Sequence, residues 1–356
     1  MRKTVQVEFS GATSKNYEII IENDILKKIG ETLKTTDMAM EKVKTFAIVS
    51  DETVAALYEE TVAESLVNEG FNVISFTITP GEKSKSAAQF FALQNWLAEN
   101  QITRSDALIA LGGGVVGDLT GFTAATYLRG LPFVQVPTTL LAMVDSSVGG
   151  KTGIDIPSGK NLVGAFKQPA AVICDPSTLK TLTPEIFSDG MAEVIKHGMI
   201  RSADLLRVLS AGDVHGNITE IIEANVNIKR DVVQKDEFDT GERQLLNFGH
   251  TIGHAIEKLS NFDVSHGNAV AIGMSIITRA AVKKGVCPQE CLDVLDGLLQ
   301  KFNLPNSTNF PTDAIFNAAL QDKKRTGDTI TEVIPVSVGN CELKKIPVRE
   351  LLEWMA

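Results

Sequence analysis

Cysteine is scarce in this chain of 356 residues, with four, and so is histidine, with five. Cys287 and Cys291 have no nearby Cys or His to complete a zinc site, Cys174 ends an apolar run and Cys341 stands alone. Neither a disulfide framework nor a thiolate metal site is therefore expected, and all four read as reduced thiols. No run of about eighteen uncharged apolar residues occurs, and the opening MRKTVQVEFSG alternates like a strand without an apolar signal core. Membrane insertion and secretion are not expected, and a cytosolic location is. Cationic residues are also in deficit, 34 Lys and Arg against 44 Asp and Glu, for a net charge of −10. Nonspecific nucleic-acid binding is thereby disfavoured, although a local cationic cluster for a small anionic substrate is not. Long linkers, internal repeats and low-complexity tracts are absent.

The length suits two domains, and 44% apolar with 22% charged residues marks a globular chain able to bury a large core. KTVQVEF and YEIIIE read as a hairpin around a Gly/Ser/Asn-rich turn. There follow the strand TFAIVSD, a helix from about 52 to 69, the strand NVISFTI, a helix from Ser84 to about 99, and the strands ALIALG and FVQVP around another helical segment. Such alternation predicts a parallel sheet covered by helices, with ligand sites at the carboxyl ends of the strands. Beyond about residue 180 the pattern turns mainly helical through 184 to 302, with late strand-like runs ITEVIPVSV and CELKKI. The expected organisation is a Rossmann-like α/β domain over 1–180 and a mainly helical domain over 181–356, with the active site in the cleft between them.

ALIALG runs into Gly112-Gly113-Gly114-Val115-Val116-Gly117, a G-x-G-x-x-G match at a strand-to-helix junction. Glycines there admit a pyrophosphate close to the backbone, and the following helix offers free N–H donors. The strand after it ends in Pro137 and Thr138 with no acid for a ribose, whereas Asp51, closing TFAIVSD, is available; nucleotide binding in an unusual topology is the better reading. GGKTG at 149–153 lacks the Walker glycine, because Asp145 stands where it is required, so an ATPase is rejected. The polar series DSSVGGKTGIDIPSGKNL, with Asp145, Lys151, Lys160 and Asn161, favours anion recognition.

His250, His254 and His266 crowd one stretch beginning LNFGHTIGH, downstream of MAEVIKHG with Glu193. Imidazoles and a carboxylate are the ligands a borderline divalent cation accepts. Spacing alone pairs His250 with His254 on one helical face, and a continuous helix would place Arg243 and Asn247 on the same stripe. Thr251 stands where a zincin needs its glutamate, which disfavours that protease chemistry.

PGEKSKS, LGGGVVGDLTGFTAATYLRG, VPTTLLAMVDSSVGGKTGID, GKNLVGAF, GMAEVIKHG, RQLLNFGHTIGH and DKK at 322–324 together closely resemble the 3-dehydroquinate synthase family over essentially the whole chain. The resemblance implies an NAD-binding amino-terminal domain and a helical domain with a divalent metal, zinc foremost and cobalt as an alternative. It assigns the metal to Glu193, His250 and His266, leaving His254 for substrate. NAD contacts fall to Asp51, Glu82, Lys85, Gly113, Gly114, Val115, Asp118, Thr138, Thr139 and Thr181, with Lys160 beside them; Thr53 replaces an Asn frequent in the family. Substrate contacts fall to Asp145, Lys151, Asn161, Lys196, Lys229, Arg243, Asn247 and His254, with Lys323 or Lys324, and with Arg129 from a partner in a homodimer. The implied reaction turns 3-deoxy-D-arabino-heptulosonate 7-phosphate into 3-dehydroquinate and phosphate, a step of the shikimate pathway toward aromatic amino acids. Its course is transient oxidation at C5 by NAD, β-elimination of phosphate, return of the hydride, ring opening and aldol closure. The alternatives are another sugar phosphate cyclase, which lacks the carboxylate contacts, or a polyol dehydrogenase, which releases NADH.

Overall fold

The computed structural model describes residues 2–9, 15–36, 43–320, 325–326 and 328–355. Contacts divide the chain into two units, Met1–Leu182 and Thr183–Ala356. In the first lie β1 (Lys3–Val7), β2 (Tyr17–Ile21), β3 (Thr45–Asp51), β4 (Asn72–Ile78), β5 (Ala107–Gly112), β6 (Phe133–Pro137), β7 (Lys151–Ile156), β8 (Gly159–Phe166) and β9 (Ala171–Cys174). Its helices are α1 (Ile29–Thr35), α2 (Glu52–Val54), α3 (Glu60–Asn68), α4 (Ala87–Glu99) and α5 (Gly114–Thr126), with a π turn at Ala55–Glu59 joining α2 to α3.

Seven strands form one sheet in the order β1-β2-β9-β6-β5-β3-β4. β1 and β2 are an antiparallel hairpin in which Lys3 faces Ile21; the other pairings are parallel. β5 is buried at every position, as a central parallel strand covered on both faces must be. Alternate residues feed two cores: Ile48, Ile109, Val134 and Ile173 on one face, Ala47, Val49, Leu108 and Phe133 on the other. Each fully buried aliphatic side chain contributes about 1.5–3 kcal/mol. From β3 the chain runs outward to β4, then returns to place β5 on the opposite side of β3. The strand order thus reverses where β3 and β5 meet, and the crevice beyond their carboxyl ends is the usual ligand position in such sheets.

The segment 151–166, read from sequence only as a polar series, is an antiparallel hairpin of β7 and β8. β9, unassigned from sequence, inserts between β2 and β6.

The second unit holds α6 (Pro184–Arg201), α7 (Ala203–Ala211), α8 (Ile218–Lys235), α9 (His250–Leu259), α10 (His266–Lys283), α11 (Gln289–Lys301), α12 (Thr312–Ala319) and α13 (Val348–Met355). A three-stranded sheet of β10 (Arg325–Thr326), β11 (Thr329–Ser337) and β12 (Asn340–Pro347) accompanies them. α10 packs on α6 and α9. Gly267 makes the first of these contacts close, since a Cβ there would lie 2.1 Å from the Asp189 carbonyl oxygen. Among the described residues no helix is long and apolar enough to cross a membrane, and the four cysteines are free.

Candidate active site

In the amino-terminal unit, Asp51, Gly113, Gly114, Val115, Thr138 and Thr139 gather at the carboxyl ends of β3, β5 and β6. Asp51 accepts hydrogen bonds from the amides of Thr53 and Val54, both at 3.0 Å, and so caps the helix that follows. Thr53 thus meets Asp51 through its backbone. Gly113 caps α5, and a Cβ on it would lie 3.2 Å from Thr139 Cγ2. The first amides of α5 have no intrahelical acceptor, and the buried Thr138 hydroxyl has no hydrogen-bond partner among the described residues. Free donors, small side chains and a helix amino terminus fit a pyrophosphate.

Beside this turn, buried Lys85 pairs with Asp118 Oδ2 at 2.5 Å. Burial opposes the Lys85 charge, yet Asp118, Glu82 and Asp155 hold its pKa above the usual lysine value. Lys160 lies 3.6 Å from Glu82. Thr181 shares a 2.7 Å hydrogen bond with the Tyr58 hydroxyl. Asp145 sits in a π turn, Ala142–Ser146, and Lys151 opens β7, exposed. Arg129 is exposed in a left-handed turn after α5, so the length of that helix, about 20 Å, separates it from the glycine turn.

In the carboxyl-terminal unit, α6 carries Glu193 and Lys196, both fully buried and paired with each other one turn apart. α9 and α10 begin on His250 and His266, and both Nε2 atoms face Glu193 Oε1, at 3.6 and 3.3 Å. The three ligand atoms lie within 4.8 Å of one another. The opposite ring nitrogens are held as well: His250 Nδ1 lies 3.1 Å from the Phe248 carbonyl oxygen and His266 Nδ1 lies 3.4 Å from Glu257 Oε2. Outer partners of this kind orient metal-ligating imidazoles. Burial and then Lys196 push the His250 pKa well below the ordinary histidine value. For His266 burial acts the same way, but hydrogen bonds to Glu193 and Glu257 outweigh it and raise the pKa to about 10. Two imidazoles and a buried carboxylate converging on one point fit a borderline divalent cation.

His254 is exposed on α9, its ring centroid 5.4 Å from that of His250 and 6.2 Å from that of His266. Its ligand atom also clusters with those of Glu257 and His266. The continuous stripe of Arg243, Asn247, His250 and His254 does not exist. Arg243 and Asn247 lie in a 3-10 turn, Glu242–Asn247, and Gly249, at φ 77°, breaks the chain before α9. A Cβ on Gly249 would lie 2.6 Å from Met274, so the break is also where α9 and α10 approach. Arg243, 1% exposed, donates through its guanidinium to the Glu237 carbonyl. Lys229 is buried on α8, and α8 and the 242–247 turn both pack on α6. Lys323 and Lys324 lie outside the described residues. Glu257 went unnoticed in the sequence, although its place seven residues after His250 on one helix put it on the same face.

Two solved structures share this architecture. A 2-deoxy-scyllo-inosose synthase complexed with carbaglucose-6-phosphate, NAD+ and Co2+ superposes with a TM-score of 0.87 at 24% identity, covering 99% of each chain. A 2-epi-5-epi-valiolone synthase from Streptomyces hygroscopicus with NAD+ and Zn2+ gives 0.85 at 23% identity and 98% of each chain. The fold is therefore that of these cyclases, a Rossmann-like parallel sheet followed by a mainly helical domain. Sequence narrows it further. The descriptions 3-dehydroquinate synthase N-terminal and 3-dehydroquinate synthase C-terminal match residues 75–189 and 190–325. A 3-dehydroquinate synthase of Clostridium kluyveri is 45% identical over 347 residues, 96% of each chain. The chain belongs to the 3-dehydroquinate synthase family.

Proposed function

We propose that this chain is a phosphorus–oxygen lyase converting 3-deoxy-D-arabino-heptulosonate 7-phosphate to 3-dehydroquinate and phosphate. The observation that carries this is the convergence of His250 and His266 on the buried Glu193 in a chain of this family. Those three would hold a divalent metal, zinc foremost, and Asp51, Gly113, Gly114, Val115, Thr138 and Thr139 would hold NAD, with Glu82, Lys85, Asp118, Lys160 and Thr181 around it. When bound, NAD supplies a reversible hydride acceptor and the metal a Lewis acid for substrate oxygens.

The chain's own residues bind and orient. Arg243 presents a planar fork suited to the substrate carboxylate, held still by its bond to Glu237. Lys151, Asn161, Lys196, Lys229, Asn247 and His254 supply cationic and neutral donors for a phosphate and several hydroxyls, with Lys323 or Lys324 joining them and Asp145 accepting. Held in one conformer, the substrate loses phosphate without diverting to side reactions. Arg129, distant from the glycine turn of its own chain, would serve the partner's site in a homodimer. The enzyme is cytosolic in this reading, and neither nucleic acid nor membrane is a partner. The retained Lys229, Arg243, Asn247 and His254 favour a carboxylated substrate over that of other sugar phosphate cyclases.

The test is an assay of purified protein with the heptulosonate phosphate, NAD+ and Zn2+. Phosphate and dehydroquinate appear in equal amounts, both requiring NAD+ and metal, with no net NADH. NADH accumulating at the rate of substrate loss would point instead to a polyol dehydrogenase.

A further inference from the structure

Asp155 is assigned no contact with cofactor or substrate above, yet three strands of the geometry meet on it. It sits at the irregularity of the β7–β8 hairpin, where the register shifts between Ile154 and Ile156. Bulges of this kind turn a residue away from the ladder and re-aim its side chain. Freed from β8, the Asp155 backbone pairs with another segment: its amide donates to the Lys85 carbonyl at 2.8 Å, and Ser86 and Asp155 form an isolated parallel bridge. Its side chain turns the other way along the hairpin, where Oδ1 accepts the Asn161 amide at 2.8 Å. Asn161 is at φ 53°, a left-handed conformation uncommon outside glycine although Asn tolerates it better than most.

We infer that Asp155 is a positioning residue, which locks the start of β8, Gly159–Asn161, to the Lys85–Ser86 segment so that Lys160 and Asn161 are presented together with Lys85. The role rests on the proposed function in one respect only: Lys85 and Lys160 are read as cofactor contacts and Asn161 as a substrate contact. Burial raises the Asp155 pKa, against the opposing pull of the Asn161 amide and the Lys85 charge. Asp155→Asn is the isosteric comparison, in which Oδ1 still accepts from the Asn161 amide. Asp155→Ala removes that bond.

The experiment compares these two variants with the parent protein. Amide hydrogen exchange at 159–162 is measured without any ligand, NAD+ affinity by calorimetry, and KM and kcat with the heptulosonate phosphate. In Asp155→Ala, exchange at the start of β8 accelerates about tenfold, as expected for loss of a charge-assisted hydrogen bond, while β3 and β5 exchange as before. KM rises and NAD+ binds more weakly by a similar factor. Asp155→Asn restores all three to within about threefold. Unchanged exchange in Asp155→Ala overturns the inference, and so does an Asp155→Asn variant as impaired as Asp155→Ala. Failure of the functional reading is separately visible, because an inactive parent protein leaves the ligand-free exchange comparison standing.

Discussion

Replacing His266 by alanine tests the metal assignment more sharply than any change to the cofactor turn. The side chain faces Glu193 Oε1 with one nitrogen at 3.3 Å and Glu257 Oε2 with the other at 3.4 Å. Its removal takes away one of the three proposed ligands and leaves the Glu257 carboxylate, only 3% exposed, without its imidazole. Loss of an outer-shell partner alone weakens metal binding about 10–100-fold. Loss of the ligand itself must exceed that, so His266→Ala should bind Zn2+ at least about 100-fold more weakly, or about 2.7 kcal/mol. Glu257→Gln, which keeps the ligand and loosens its support, should fall within the 10–100-fold range. His254→Ala should retain near-stoichiometric metal and lose turnover, since the ligand atoms grouped with Glu193 are those of His250 and His266, and His254 is exposed. Metal content after dialysis, followed by titration against a competing chelator, measures all three. A His266→Ala protein that keeps its metal while His254→Ala loses it would refute the assignment and restore the helical pair, His250 with His254.

The Arg243 fork and the His266 proton each yield a further expectation. Arg243→Lys should raise the substrate KM about 10–100-fold, the worth of a charged hydrogen bond, while NAD+ and metal affinities stay close to those of the parent; unchanged kinetics would remove Arg243 from the site. Because the His266 pKa is raised to about 10, the metal-free protein carries a proton there at neutral pH that a metal must displace. Metal affinity should therefore climb as pH rises from 6.5 toward 10, and calorimetry at pH 7.5 in two buffers of different ionisation enthalpy should detect about one proton released per ion bound. No proton release would show that His266 is neutral before the metal arrives.

Much of the molecule was legible in the sequence because its determinants are local. Strand–helix alternation, the continuous apolar run of β5 and the glycine turn after it are set by near neighbours, and each appears as read. So does the hairpin of β1 and β2, whose alternating pattern requires one buried face. The 151–166 hairpin escaped notice because β8 is mostly exposed and its apolar residues, Leu162, Val163 and Phe166, do not alternate with polar ones. Local spacing misled at Gly249, where a left-handed residue ends one helical segment and starts another, so that a pattern continuous in sequence is broken in space. Likewise spacing ranked His254 beside His250, since it measures only distance along one helix. The family resemblance already grouped His266 with Glu193, but only the tertiary structure shows how: α10 packs on α6 through Gly267, and Glu257 and Phe248 hold the two rings in place. The sheet order, with its reversal between β3 and β5, was also beyond the sequence. Parallel neighbours are chosen by crossover packing between segments far apart in the chain, and no local pattern records that choice.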